Sequence, residues 1–194
     1  MPLGDSYTIG EGLAQSERFP NQLVELLAKE GKTVQLGPNP SKTGWTSQDL
    51  IDNELPLFKK EKPQLATLLI GVNDWVQGVS GETFRNNFRF ILREMIATLG
   101  NKKKLVVLSI PDFSATPEGS QYGRGRDISK GIAEFNAILS DESKKAGVVV
   151  VDIYRETQDM KNHPELISKD GLHPSAKEYG IWAAKVLPHF KKLL

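Results

Sequence analysis

Four short runs of apolar or β-branched residues constrain most strongly how this chain can fold. They cover residues 33–37, 65–71, 105–110 and 148–153. Their hydrophobicity is largely continuous, which is typical of parallel strands buried on both faces of a sheet. Because longer stretches with helical character lie between them, the sequence predicts an α/β fold.

The stretches between the runs carry the signals of amphipathic helices. Residues 21–30 and 82–99 each end at a glycine, and residues 127–146 repeat the same apolar pattern. A last helix begins at Ser175, with Glu178 at capping-box spacing. Strands that alternate with helices predict right-handed crossovers and a three-layer α/β/α sandwich, with the functional site at the carboxyl ends of the strands.

Length and composition predict one globular domain over residues 1–194. Apolar residues make up 39% of the chain, charged residues 25%, and the net charge is +1, so nothing suggests disorder or a nucleic-acid partner. There is no cysteine, which excludes disulfides and thiolate catalysis. No apolar run approaches the length of a membrane span, and no apolar region of a signal peptide precedes Gly4, so the chain as given favours a cytoplasmic protein.

The first candidate site residue is Ser6, in a Gly-Asp-Ser segment at residues 4–6. It follows the position expected for a first strand, and Gly4 permits a close turn that lifts a side chain above the sheet edge. A serine placed there can act as a nucleophile. Taken alone, the segment would be interpreted as a helix cap.

Asp170 and His173 form the second candidate group. Their spacing lets a tight turn bring the carboxylate to the imidazole Nδ1–H while Nε2 faces a nucleophile. In this arrangement Asp170 holds the ring tautomer and offsets the charge that His173 gains on taking a proton. The alternative is a capping turn with a surface histidine.

Two further segments offer hydrogen-bond donors. Asn73 follows the run at 65–71, so its amide is expected at the carboxyl end of that strand, and Asp74 is expected to brace nearby backbone N–H groups. Gly44 lets the backbone approach a substrate. The N–H groups of Ser6 and Gly44 and the Asn73 side chain would then form an oxyanion hole.

In this order, the Gly-Asp-Ser segment, Gly44, Asn73 and the segment 170–173 resemble the SGNH hydrolases, also called GDSL lipases and esterases. The resemblance extends from Gly4 to about Ser175. It implies a flavodoxin-like parallel sheet of about five strands in the order 2-1-3-4-5. It also implies acyl-enzyme catalysis that needs no metal and no cofactor.

One feature departs from the family pattern. Only three residues precede the Gly-Asp-Ser segment, and Pro2 cannot donate a hydrogen bond in a strand ladder. We therefore expect a truncated first strand. One hypothesis is that the natural product begins upstream, where a signal or lipoprotein sequence would also lie.

Aromatic residues near these segments are candidates for an apolar substrate pocket. They are Tyr7, Trp45, Trp75 and Phe113. The alternative is that some of them are ordinary core or loop residues. Residues 111–126 form a long, glycine-rich connection that could be a mobile lid, and Arg124 and Arg126 within it either meet an anionic group of the substrate or lie in solvent.

The predicted function is hydrolysis of a small-molecule ester or thioester, as a carboxylesterase, lysophospholipase, thioesterase or carbohydrate O-deacetylase. A metal-dependent phosphoesterase is an alternative, with ligands drawn from Asp5, Asn73, Asp74, Asp170 and His173. Only three histidines are present, and one lies in a motif, which argues against it. A non-catalytic acyl- or carbohydrate-binding module is the third possibility. The sequence specifies neither the natural ester nor the oligomeric state.

Overall fold

The computed structural model describes all 194 residues, from Met1 to Leu194. At its centre lies a sheet of four parallel strands in the order β1-β2-β3-β4. The strands are β1 (Pro2–Gly4), β2 (Ala66–Leu69), β3 (Leu105–Leu108) and β4 (Val149–Val151). Every residue of the first three strands is buried, as the apolar runs predict.

Helices connect and cover the strands. They are α1 (Ser6–Ile9), α2 (Phe19–Lys29), α3 (Ser47–Asp49), α4 (Leu55–Glu61), α5 (Val72–Gln77), α6 (Gly81–Leu99), α7 (Ser120–Gly123), α8 (Ile128–Ala146), α9 (Tyr154–Gln158) and α10 (Ala176–Lys191), with a π-helical turn (Leu50–Glu54) between α3 and α4. Short 3-10 turns cover Gln15–Glu17, Lys102–Lys104, Phe113–Ala115, Asp159–Asn162 and Pro164–Leu166. α2 packs on α10, and α6 packs on α8. A parallel sheet flanked by helices confirms the predicted fold class.

Side-chain caps fix where the long helices begin. Asp127 accepts a hydrogen bond from the Lys130 N–H at the start of α8, and Ser175 accepts one from the Glu178 N–H at the start of α10. Each cap satisfies an N–H group that the helix itself leaves unpaired. The second cap, Ser175, lies two residues after His173, and α10 begins at the next residue. No helix combines the length and the apolar character needed to cross a lipid bilayer.

The register of the parallel strands brings their carboxyl ends to one edge. Gly4 of β1 pairs with Leu69 of β2, and Leu108 of β3 pairs with Val151 of β4. Loops that leave neighbouring strands therefore start side by side. One continuous apolar cluster, with residues from all four strands, supports this edge from below.

The predicted strand at residues 33–37 is not formed, so the sheet has four strands and not about five. The other four predicted strands occur in the expected order. The segment runs beside β1, where a Cβ on Gly37 would lie 3.6 Å from the Met1 side chain, but it makes no ladder. Pro2 offers no N–H to it, and the Gly4 N–H donates instead to Glu54. The outer edge of β1 thus lacks the donors that a fifth strand would use.

Candidate active site

Ser6 lies directly after the first strand, at the carboxyl edge of the sheet. β1 ends at Gly4, Asp5 caps α1, and Ser6 is the first residue of that helix. Gly4 fits only as glycine, because a Cβ there would lie 2.1 Å from the Leu69 carbonyl oxygen. The turn is therefore packed tightly against β2, and it holds Ser6 at a fixed place with 6% of its surface exposed.

A short hairpin, which we call the His173 hairpin, carries Asp170 and His173. Ile167 and Pro174 form an antiparallel bridge at its base, and the Ser168 N–H donates to the His173 carbonyl at 2.8 Å. These bonds close the turn. The imidazole consequently projects from a constrained segment.

The Asp170 carboxylate divides its two oxygens between the turn and the ring. Oδ1 accepts from the Ser168 hydroxyl at 2.6 Å and from the N–H groups of Leu172 and His173 at 2.8 and 2.9 Å. Oδ2 lies 2.7 Å from His173 Nδ1. Burial by itself would raise the pKa of Asp170, but the hydrogen bonds outweigh it and lower this pKa to about 2. Asp170 is therefore an anion at neutral pH and keeps a proton on Nδ1.

The other nitrogen of the ring faces the serine. Ser6 Oγ lies 2.9 Å from His173 Nε2, although 167 positions separate the two residues in the chain. Because Nδ1 carries the proton, Nε2 accepts the hydrogen bond from the hydroxyl. The Tyr7 ring packs beside the imidazole, with 4.9 Å between ring centroids. The structure thus brings Ser6, His173 and Asp170 together in one hydrogen-bonded chain.

Two backbone donors face the same cavity as the serine. Ser6, Gly44 and Asn73 all line it. The N–H groups of Ser6 and Gly44 donate to no other protein atom. Gly44 has a φ of +83°, a conformation that glycine adopts without steric cost, and the Gln77 side chain holds its carbonyl at 2.9 Å. Both N–H groups are therefore left for an oxygen of a ligand.

Asn73 supplies a side-chain amide from the first turn of α5. Its Nδ2 donates to the Trp45 carbonyl at 3.0 Å and lies 3.4 Å from Asp5 Oδ2. The bond to Trp45 orients the amide, and the long contact to Asp5 leaves one N–H available for a better acceptor. The neighbouring Asp74 accepts the Ser47 N–H at 2.8 Å, which is the bracing role expected of it.

Asp5 is a buried acid next to the serine in the chain, and its sequence position suggested only a metal ligand in the phosphoesterase alternative. Its Oδ1 accepts the Tyr7 N–H at 3.0 Å, and its side chain is fully buried. Burial raises the pKa of Asp5 to about 7; the Tyr7 N–H opposes this shift, and Asp74 adds to it. Asp5 therefore caps α1 and contacts Asn73. In the sequence, the only sign of these two roles was the position of Asp5 between the end of the strand and Ser6.

Comparison with known proteins identifies the family of this chain. The model of the GDSL-like Lipase/Acylhydrolase family matches residues 3–181. The chain belongs to this family. A search of curated proteins finds no match.

Solved structures share the fold of this acylhydrolase. A lipase/acylhydrolase from Enterococcus faecalis superposes with a TM-score of 0.80 at 23% identity, over 100% of this chain and 95% of the other. The protein called TesA gives 0.75 at 24% identity, over 100% and 98%. An acetylxylan esterase from Geobacillus stearothermophilus gives 0.75 at 16% identity, over 97% and 91%. The family match confirms the predicted membership and makes the chain a hydrolase of ester bonds.

The acylhydrolase has a cavity of about 150 Å³ in front of Ser6 and His173. Two of the four predicted aromatic residues, Tyr7 and Phe113, line it. Tyr122 also lines it, although the sequence pattern did not point to this residue; its ring is 40% exposed and packs edge-on against Phe113. The other lining residues are Thr43, Gly44, Val72, Asn73, Val76 and Leu172.

Trp45 and Trp75 do not line this cavity, so two of the four candidate aromatic residues fit the alternative that some of them are core or loop residues. Trp75 supports the wall from behind, with its ring centroid 6.0 Å from that of Phe113. Trp45 contributes its backbone carbonyl to Asn73. An aromatic residue that follows a motif can either line the cavity or support its wall, and the sequence pattern is the same in both cases.

The segment 111–126 of the acylhydrolase is tied to two parts of the site. The Arg126 guanidinium donates to two successive carbonyls at the end of α5, at 2.8 and 3.0 Å, and stacks on Trp75 at 4.0 Å. The Glu118 N–H donates to the Gly171 carbonyl in the His173 hairpin at 3.0 Å. Arg126 is therefore exposed but hydrogen-bonded within the protein.

Proposed function

We propose that this acylhydrolase cleaves carboxylic esters through an acyl-enzyme on Ser6. The observation that carries the proposal is the chain of hydrogen bonds from Ser6 Oγ through the His173 ring to Asp170. Since the hydroxyl also borders an apolar cavity, a bound ester can place its carbonyl carbon within reach of the oxygen.

In the acylation step, His173 Nε2 takes the hydroxyl proton as Ser6 Oγ attacks the carbonyl carbon. The carbonyl oxygen becomes an oxyanion, which accepts hydrogen bonds from the N–H groups of Ser6 and Gly44 and from the Asn73 amide. Collapse of this intermediate breaks the bond to the leaving oxygen or sulfur, which takes the proton from His173. Asp170 stays ionised and stabilises the transient imidazolium.

In the deacylation step, water takes the place of the leaving group. His173 Nε2 removes one proton from the water as its oxygen attacks the acyl carbon. The same donors hold the second oxyanion. When the acyl–oxygen bond to Ser6 breaks, Oγ recovers its proton from the imidazolium and the carboxylic acid is released. The three side chains and water account for every proton transferred.

The size of the cavity favours a short acyl group. Its volume of about 150 Å³ is well below the ~300 Å³ at which pockets for drug-sized ligands begin. Acetyl to butyryl groups fit this space. We therefore propose that O-acetylated carbohydrates or other short-chain esters are better substrates than lysophospholipids or long-chain thioesters.

Replacement of Ser6 by alanine tests the nucleophile. The rate of p-nitrophenyl acetate hydrolysis should fall to that of the uncatalysed reaction in buffer, while the circular dichroism spectrum stays that of the wild type. Ser143→Ala is a matched control, because Ser143 is likewise a buried serine and its hydroxyl has no partner. Turnover by Ser6→Ala at the wild-type rate would refute the proposal.

A series of p-nitrophenyl esters from two to twelve acyl carbons tests the acyl size. We expect kcat/KM to be highest at two to four carbons and to fall steeply beyond six. A maximum at ten or twelve carbons would contradict the assignment. The same assays separate the remaining alternatives, since a phosphoesterase would cleave p-nitrophenyl phosphate and a binding module would cleave neither.

A further inference from the structure

A buried glutamate, Glu54, touches the strand that carries the nucleophile. Its Oε2 accepts the Gly4 N–H at 3.0 Å and the Ser41 hydroxyl at 3.4 Å. No part of Glu54 is exposed, and its second oxygen, Oε1, has no hydrogen-bond partner. The mechanism above does not use this group. Burial of a carboxyl costs free energy unless hydrogen bonds compensate for the lost hydration, so its contact with β1 needs an explanation.

The helix that carries Glu54 is irregular at this residue. Leu50–Glu54 is a π-helical turn, in which the Leu55 N–H donates to the carbonyl five residues back. Pro56 follows at once in the first turn of α4, and because proline lacks an N–H and its ring crowds the preceding turn, it disfavours regular α-helical bonding to the residues before it. Such bulges occur frequently at functional sites. Here the bulge places Glu54 against β1.

The place of this contact in the sheet explains what it supplies. β1 is the edge strand and pairs only with β2. On its outer side Pro2 has no N–H, so Gly4 provides the donor, and the carboxyl of Glu54 accepts it as the carbonyl of a neighbouring strand would. Ser6 begins α1 two residues later.

The turn between Gly4 and Ser6 is tightly packed. A Cβ on Gly4 would meet the Leu69 carbonyl at 2.1 Å and the Thr8 hydroxyl at 2.3 Å, so the backbone is closely packed on its inner side. On the outer side the Glu54 carboxyl is the polar group that restrains it. Displacement of a nucleophile by ~1 Å can cost about 100-fold in rate.

We propose that Glu54 is a positioning residue, which replaces the missing outer strand at Gly4 and thereby holds Ser6 Oγ in line with His173. This inference rests on the proposed role of Ser6 as the nucleophile. Glu54 touches no reacting atom, so its removal changes the rate of the chemical step and leaves the cavity that binds the ester intact.

Steady-state kinetics of Glu54 variants with p-nitrophenyl acetate test the inference. We expect Glu54→Ala to lower kcat by about 10- to 100-fold with KM within about twofold of the wild type, and to slow labelling by a fluorophosphonate in parallel. Glu54→Gln keeps a carbonyl oxygen for the Gly4 N–H, so its kcat should stay within about threefold. Glu54→Asp, one methylene shorter, should be slow even if the alanine variant does not fold.

Control variants separate positioning from a general loss of stability. Glu142, a buried glutamate on α8 that pairs with Arg85 and Arg89, lies outside the site, so Glu142→Ala should leave kcat unchanged. A wild-type kcat in Glu54→Ala, or a glutamine variant as slow as the alanine variant, would overturn the inference. Ser6→Ala is measured beside them: activity there would refute the nucleophile itself, whereas an inactive Ser6→Ala with a fully active Glu54→Ala refutes only the role of Glu54.

Discussion

At the scale of single residues, Asp170 illustrates how one side chain serves two purposes. Oδ1 closes the turn through three hydrogen bonds, and Oδ2 contacts the His173 ring at 2.7 Å. Because the same carboxylate fixes the backbone and the ring, the imidazole is already oriented before an ester binds. The spacing of Asp170 and His173 predicted the contact with Nδ1, but it did not predict the contribution of Ser168.

Replacement of Asp170 by asparagine separates these two purposes. The amide oxygen can still accept from the turn, but the NH2 group then faces Nδ1 and forces the protonated nitrogen toward Ser6. We expect kcat to fall by about 10³- to 10⁴-fold with little change in Tm. Kinetics with p-nitrophenyl acetate check this, with the exposed Asp159→Asn as control. A variant that keeps a tenth of the wild-type kcat would contradict the role given to Asp170.

At the scale of elements, the candidate site is assembled from segments that are each held by local bonds. The His173 hairpin is closed by its bridge, and the segment 111–126 is fixed by Arg126 and Glu118. The Glu118 bond joins that segment directly to the hairpin. We therefore expect that motion of the segment 111–126 also displaces the His173 ring.

Removal of the Arg126 guanidinium tests how far it holds the segment. Two charge-assisted hydrogen bonds of ~1.5–3 kcal/mol each are lost in Arg126→Ala, so amide exchange in residues 116–126 should speed up by at least about tenfold. KM for short esters should rise, because Tyr122 no longer holds one side of the cavity. In Arg126→Lys the exchange rate and KM should lie between those of the wild type and Arg126→Ala, since lysine cannot bridge both carbonyls. Unchanged exchange in Arg126→Ala would show that Arg126 does not restrain the segment.

The sequence predicted those elements whose signals are local. The apolar runs gave β2, β3 and β4, and the caps at Asp127 and Ser175 gave the starts of α8 and α10. The prediction of a strand at 33–37 was wrong because a strand needs a neighbour with free hydrogen-bond donors. The Gly4 N–H already donates to Glu54, a residue 50 positions away. Helical periodicity gives no sign of that contact, since it depends on the π-helical turn.

At the scale of the whole molecule, two buried acids make stability depend on pH. Burial raises the pKa of Glu54 to about 8 and that of Asp5 to about 7, from ordinary values of 4.5 and 3.8. Between the ordinary and the raised values, the unfolded chain releases protons that the folded chain retains. The contribution of these groups to the free energy of unfolding is therefore full below about pH 4 and is lost as the pH rises to about 8.

Glu54→Gln isolates half of this effect. The groups that face Glu54 are the Gly4 N–H, the Ser41 hydroxyl and the Asp5 carboxyl, and an amide does not ionise beside them. We expect the Tm of the variant to improve relative to the wild type as the pH rises from 5.5 to 9. Glu142→Gln should show no such trend, because Arg89 holds the pKa of Glu142 down to about 2. A constant Tm difference for Glu54→Gln would mean that Glu54 titrates normally.

The account as a whole depends on Ser6 Oγ being the nucleophile that bonds to the acyl group. The most direct test treats the wild-type enzyme with a fluorophosphonate and locates the adduct by peptide mass spectrometry. We predict one adduct, on Ser6, which forms at least about 100-fold more slowly when His173 is replaced by alanine. An adduct on another serine, or an enzyme that escapes labelling while it hydrolyses esters at full rate, would contradict the account.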